Sequence, residues 1–204
     1  MTGRAFASAG LVALVFTGLR RQGIAPPEPP PGPGLRLAGP PLVAHGRKRD
    51  LLAAVLRQHG PVAVLRVGEA VADQGFHPIL HVLLRAQGPA DLIGRWLRLE
   101  RYGHSHHRTV VEHLAADGAA LRHVSLDGAP PAAAEDLLVL GLHLGLLRAI
   151  GCTGVSAAIA GGRVARPDGG WDAAAAAAAV AAGDTAAWRL AWAGWQAPPA
   201  IPPR

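Results

Sequence analysis

The sequence predicts an α+β fold in which helices cover one face of a small sheet. Helical periodicity dominates the first half of the chain, and short β-branched or alternating runs begin after residue 108. A stretch that is apolar on every side, residues 132–150, then follows, as expected of a buried helix. The order of helices, hairpin, buried helix and third strand is typical of α+β proteins. With 204 residues, half of them hydrophobic, the chain can build one domain with tails.

The chain divides into four predicted segments. Residues 1–24 contain the first helix and 25–46 a Pro/Gly-rich loop. Residues 47–197 form the main α+β domain, and 198–204 a disordered tail.

Residues 4–22 predict a helix that ends at Gly23, because glycine commonly follows the last helical turn. Its apolar part spans about 15 residues, fewer than the roughly 20 that cross a bilayer. It also ends in Arg20 and Arg21, unlike a signal peptide with its cleavage site. We expect a buried first helix, no membrane association and a cytoplasmic location. A membrane-surface anchor over residues 5–22 stays open as an alternative.

Further helices are predicted at 47–59, at 61–71, from Pro78 onward and at 89–102. The last is the clearest amphipathic helix, beginning with a proline in its first turn. Its inner stripe contains Leu92, Trp96 and Leu99, and its outer side Arg95, Arg98 and Arg101.

The second half predicts a β-hairpin, because runs 109–114 and 121–126 flank the turn dipeptide Asp117-Gly118. Within the apolar helix 132–150, Gly141 and Gly145 each cost about 1 kcal/mol against alanine, so we expect a neighbouring backbone to approach them closely.

A third strand is predicted over 155–160 and an alanine-rich helix over 173–182. Trp188, Trp192 and Trp195 follow at helical spacing, which predicts one helical face that docks on the domain or on a partner.

The charge distribution and the single cysteine argue against an extended basic surface, an internal disulfide and a cysteine nucleophile. The formal net charge is +6, but the basic residues are scattered and only residues 47–49 cluster, which favours solvated helix faces. The single Cys152 cannot form an internal disulfide, which favours a reducing compartment. It follows Gly151 after an apolar run, so we expect a small buried residue and not a nucleophile.

The histidines are the main candidates for chemistry. His104, His106 and His107 are close in sequence, and His77 and His81 are four residues apart, a spacing that suits a metal on one helix. Pro78 breaks that second pattern, so we expect His77 to cap a helix. We expect no metal and no cofactor, but a histidine-dependent metal-binding protein or hydrolase stays open.

No catalytic set stands out from the sequence. It lacks the G-x-S-x-G, GxxxxGK[ST] and GxGxxG motifs. Ser105 is a sequence neighbour of His104 and His106, but the side chains of chain neighbours rarely point together, so we do not expect a nucleophile and its base here. Glu135 and Asp136 suit the positive end of the buried helix dipole. We therefore expect a protein that is not an enzyme.

One stretch resembles a known family. Trp96 to Arg108 (W-L-R-L-E-R-Y-G-H-S-H-H-R) is similar to the W-x-R-L-E-R-Y-x-H-S-x-H-R signature in the N-terminal sensor domain, of the arabinose-binding type, of AraC/XylS-family transcription regulators. Segments 10–24, 77–84, 123–126 and 134–139 agree with other parts of that domain. The motif positions are Trp96, Leu99, Glu100, His104, Ser105, His107, Glu135 and Asp136.

The resemblance implies an effector-sensing and dimerisation domain. It implies a small-molecule effector, a homodimer, and DNA contact only through a helix-turn-helix domain that we do not find in this chain. The basic positions near the motif predict an acidic effector, because guanidinium groups match carboxylates. The candidate binding residues are Arg95, Arg98, Arg101, Tyr102 and Arg108.

Overall fold

The computed structural model of the protein describes residues 6–26, 42–73, 78–126 and 128–197. The predicted loop 25–46 lies largely outside these ranges. The proposed cap His77 and the predicted tail 198–204 lie entirely outside them.

Six helices and two 3₁₀ turns are described. The helices are α1 (Ala9–Arg21), α2 (His45–Glu69), α3 (Pro78–Leu84), α4 (Pro89–Leu99), α5 (Ala133–Ala149) and α6 (Ala173–Ala182). The 3₁₀ turns are Ala70–Asp73 and Glu100–Tyr102. No helix of the described residues is both long and apolar enough to span a membrane.

Nine short strands accompany the helices. They are β1 (Phe6–Ser8), β2 (Leu42–Ala44), β3 (His107–Leu114), β4 (Gly118–Ser125), β5 (Cys152–Thr153), β6 (Ser156–Ile159), β7 (Gly162–Ala165), β8 (Ala187–Ala191) and β9 (Gly194–Trp195). Five of them form an antiparallel sheet in the order β3-β4-β8-β6-β7, and β1 pairs with β2 and β5 with β9. The predicted α+β class is confirmed, with a larger sheet than the three strands expected.

The N-terminal helix is shorter than predicted. Residues 6–8 pair with 42–44 as two small strands, so the helix begins only at Ala9 and the expected loop 25–46 contains β2. Its end is as predicted, since Gly23 has a φ of 68°. The apolar side of α1, including Leu14 and Val15, is buried in the protein core.

Helix α2 joins the two helices predicted at 47–59 and 61–71. Gly60, with φ 78° and ψ 176°, leaves helical geometry directly before Pro61, so the axis kinks at the predicted boundary.

Helix α5 lies at the centre of the fold. One side packs on α2, and His123 and Trp188 of the sheet contact the other side through Asp136 and His143. Added Cβ atoms on Gly141 and Gly145 would lie 2.2 Å from the carbonyl oxygens of Leu65 and Glu69. The predicted close backbone approach is therefore confirmed.

The helical interpretation of the C-terminal tryptophans is wrong. Trp188 lies in β8 and Trp195 in β9. Along β8, Trp188 and Leu190 are buried whereas Arg189 is exposed, the alternation of a strand with one face inward. Pairing of β8 with both β4 and β6 overrides the spacing of the tryptophans, and large aromatic side chains suit such a half-buried sheet surface.

Candidate functional site: an apolar cavity beside a histidine cluster

An apolar cavity of about 90 Å³ lies between α1, α3, α4 and α5. Its walls are mainly aliphatic and include Leu11, Leu14, Leu80, Leu83, Leu138 and Leu142. Each wall comes from the inward stripe of an amphipathic or fully buried helix. The cavity is therefore a gap that the core side chains leave between the helices.

Polar side chains lie at one end of this cavity. They are Lys48, Glu100, His104, His123 and Glu135, and each is at most 3% exposed. Apolar walls with a few polar groups at one end are typical of small-molecule sites.

Glu100 is fixed by the residues around the WLRLERY motif. Its two carboxylate oxygens accept hydrogen bonds from the backbone N–H (2.6 Å) and the hydroxyl (2.8 Å) of Thr109. Trp96 Nε1 donates to the same hydroxyl at 3.0 Å, and His104 Nε2 lies 3.4 Å from Glu100 Oε1. Burial alone raises the pKa of Glu100, but the bonds from His104 and Thr109 outweigh it and the net pKa is lowered.

Glu135 forms a second buried charge centre at the first turn of α5. Lys48 Nζ lies 2.8 Å and His45 Nε2 3.1 Å from its Oε1, and the backbone N–H of Ala132 donates to Oε2. Burial raises the pKa of Glu135, but the Lys48 charge and hydrogen bond lower it to about 2. The basic residues 47–49 were expected to be solvated. This is wrong for Lys48, which is only 3% exposed and pairs with Glu135.

Asp136 orients His123. Its Oδ1 lies 2.8 Å from His123 Nδ1, and its Oδ2 accepts a 2.6 Å hydrogen bond from the Thr185 hydroxyl. Within the described parts of the chain, the other ring nitrogen of His123, Nε2, is buried without a hydrogen-bond partner. Glu135 and Asp136 are in the first turn of α5, as predicted, but their carboxylates also hold these networks.

Three imidazoles meet beside the cavity. We call His104, His107 and His123 the histidine cluster; one ring nitrogen from each lies within 4.8 Å of the other two. Ring centroids are 5.0 Å apart for His107 and His123, and 5.7 Å for His104 and His123. Burial lowers the pKa of His104, and it lowers that of His107 to about 4. Both rings are therefore neutral near pH 7.

A second possible ligand group shares one member with the cluster. His45, His107 and Glu135 also bring one ligand atom each within 4.8 Å of one another. The Glu135 carboxylate, however, already forms an ion pair with Lys48, so this second group is the weaker candidate for a metal site.

The arginines predicted to bind an effector lie elsewhere. Arg98, Arg101 and Tyr102 are exposed, with the Arg101 guanidinium 5.0 Å from the Tyr102 ring centre. Arg95 pairs with Asp91 at 2.9 Å. None of the five predicted residues is among the described residues that line the cavity.

The fifth of these residues, Arg108, has a local partner. Its Nη1 donates to the carbonyl oxygens of His104 (2.9 Å) and His107 (2.6 Å). It thus holds the loop that carries two members of the histidine cluster.

Sequence reasoning missed Lys48, His45 and His123 as site residues. Lys48 belongs to the basic run 47–49, for which the sequence predicts a solvated helix face, and His45 lies in the predicted loop 25–46. His123 had a usable signal, because it lies two residues after the inward Leu121 in a predicted strand and therefore on the same face.

Cys152 is buried, as predicted, and burial raises the pKa of its thiol to about 11.

Comparison with known proteins shows the fold alone. No family model and no curated protein matches this chain. A solved structure from work on modulating heme redox potential through protein-induced porphyrin distortion is similar, with a TM-score of 0.52 and 12% sequence identity. The similarity covers 95% of this chain and 99% of that one.

Proposed function

We propose that this chain is a sensor domain that binds a small, mainly apolar effector in the cavity, and that it serves an AraC-type transcription regulator. The observation that carries the proposal is the apolar cavity with polar groups confined to one end. The resemblance of residues 96–108 supports the regulator class. That resemblance assigns DNA contact to a separate helix-turn-helix domain.

The polar end of the cavity favours an uncharged polar group on the effector. Nδ1 of His104 and Nε2 of His123 have no hydrogen-bond partner within the described residues, so they can serve a hydroxyl group. A carboxylate there would meet the ionised Glu100 and Glu135. An acidic effector at the surface arginines stays a separate prediction.

Heme does not fit this cavity. The neighbour with the similar fold was studied for its heme, but the volume here is about 90 Å³, whereas pockets for drug-sized ligands measure about 300–1,000 Å³. Two carboxylates, Glu100 and Glu135, also line the polar end. We therefore assign no step to a porphyrin.

Ligand-dependent unfolding tests the proposal. We expect p-cresol, which carries a hydroxyl, to raise the melting temperature with concentration, and benzoate to have little effect, because binding to the native state stabilises it. Leu83→Phe fills the cavity and is expected to abolish the shift. Leu84→Phe, on the same helix but outside the lining residues, is the matched control.

Two outcomes would contradict the cavity proposal. One is a p-cresol shift that survives Leu83→Phe. The other is the absence of any p-cresol shift together with a benzoate shift that disappears in Arg101→Ala, which would support the acidic effector at the arginines instead.

Self-association belongs to the same proposal. β3 is an edge strand of the sheet, and its Val110 and Leu114 are 44% and 41% exposed, features that permit pairing between copies. We expect a homodimer in light scattering that Val110→Glu weakens. A monomer at all accessible concentrations would contradict it. The cytoplasmic location stays a prediction.

A further inference from the structure

We propose that His104, His107 and His123 bind a divalent transition metal ion of the zinc class, in a site that faces the cavity. This proposal goes beyond effector sensing, and a bound metal would take the His104 and His123 nitrogens that otherwise serve the effector hydroxyl. It adopts the alternative that the sequence left open, with a different set of histidines from the pair His77 and His81.

The first argument is geometric. The three side chains come from the segment after the second 3₁₀ turn, from β3 and from β4, and the hairpin register places Thr109 opposite His123 and His107 opposite Ser125. Zinc–nitrogen bonds of about 2.0–2.1 Å hold three tetrahedral nitrogens about 3.3 Å apart. Nitrogens already within 4.8 Å need only small side-chain rotations to reach that spacing.

The second argument is the unmet hydrogen bonding. Nδ1 of His104, Nδ1 of His107 and Nε2 of His123 are buried without a hydrogen-bond partner within the described residues, whereas Nε2 of His104 contacts Glu100. Buried polar atoms in native proteins nearly always have a partner, so three adjacent imidazoles, each with a nitrogen that lacks one, are suited to bind a common ligand. A metal ion satisfies one nitrogen of each ring at once.

The third argument is the carboxylate support behind the rings. Asp136 holds Nδ1 of His123 and leaves Nε2 without a partner within the described residues, which is the carboxylate–histidine arrangement that surrounds metal sites. Glu100 lies behind His104 at 3.4 Å. Three buried carboxylates, of Glu100, Glu135 and Asp136, lie beside the rings, and the only buried ammonium near them within the described residues is that of Lys48. This charge balance favours a cation.

Three nitrogen ligands leave one tetrahedral position open. His104 and His123 both line the cavity, so the open position would face it. Imidazole ligands suit Zn²⁺, Cu²⁺ and Ni²⁺ better than Mg²⁺ or Ca²⁺, whose preferred ligands are oxygens.

Metal titration of the full chain, freed of any histidine tag and treated with a chelator, tests the site. We expect one Zn²⁺ per chain by competition with a chromophoric chelator, and a visible absorption band of tetrahedral Co²⁺. His104→Gln and His123→Gln should each weaken Zn²⁺ binding by about 100-fold or more. Asp136→Asn, which keeps all three ligands, should weaken it by about 10–100-fold. The exposed His113→Gln is the matched control and should change nothing.

The wild-type chain supplies a test that needs no variant to fold. X-ray absorption at the zinc edge should show three imidazole nitrogens at about 2.0–2.1 Å. No stoichiometric Zn²⁺, a shell without imidazole, or equal loss in His113→Gln would overturn the proposal. Leu83→Phe should retain Zn²⁺ while losing p-cresol, so the metal and effector proposals can fail separately.

Discussion

The two ends of α5 are both buried but are held by different forces. Its first turn carries Glu135 and Asp136, whose carboxylates face Lys48 and His123. Further along, Gly141 and Gly145 let the backbone of α2 approach without intervening side chains. At the glycines, the close approach of α2 limits the volume that a side chain can occupy. At the first turn, the buried carboxylates need partners that compensate their charge. One helix thus serves both as a packing element and as a wall of the candidate site.

The largest effect is expected at the glycine contact. Gly141→Val would place side-chain atoms where Cβ alone already lies 2.2 Å from the Leu65 oxygen, so α2 and α5 must separate. We expect loss of the cooperative unfolding transition in urea. Gly46→Val, also in a helix but with no atom near its Cβ, should change the free energy of unfolding by less than about 1 kcal/mol. Similar stability of the two variants would refute close packing here.

The buried ion pair should give the next largest effect. Lys48→Met leaves the Glu135 carboxylate buried without its cation, which we expect to cost about 3–5 kcal/mol of unfolding free energy. The double variant Lys48→Met/Glu135→Leu should recover most of that loss. Additive losses in the double variant, measured by chemical denaturation, would show that the two residues do not interact.

A smaller, pH-dependent effect is expected at His143. Burial lowers its pKa to about 4 in the folded state, whereas in the unfolded chain it is near 6.5. The unfolded state therefore binds the proton first, and His143 lowers stability as the pH falls from about 6.5 to 4. His143→Leu should reduce this fall by up to about 3 kcal/mol.

Denaturation at several pH values measures the His143 effect. The exposed His113→Leu is the control and should leave the pH profile unchanged. Parallel profiles for wild type and His143→Leu would contradict the lowered pKa.

The smallest effect is expected for the surface pair of Arg122 with Glu112 on the β3–β4 hairpin. Their side chains are 49% and 40% exposed, so water and salt screen them. Arg122→Ala should lower the unfolding free energy by no more than about 1 kcal/mol, and added salt should remove the difference. A loss as large as that of Lys48→Met would overturn this contrast between buried and exposed pairs.

Local patterns in the sequence predicted most helices and the hairpin. The clearest cases are the N-terminal proline of α4 and the glycines of α5, because steric and conformational limits act within a few residues. The tryptophan segment was mispredicted, because its strand partners β4 and β6 are distant in sequence.

The candidate site likewise contains some residues that local sequence could predict and others that only the fold brings together. Local sequence was enough to group Trp96, Glu100, His104 and His107 in one motif and to predict the acidic first turn of α5. Only the tertiary structure brought in His45, Lys48 and His123 and excluded the predicted arginines from the cavity. The physical reason is that burial and charge pairing depend on contacts between elements that are remote along the chain, which no local spacing encodes.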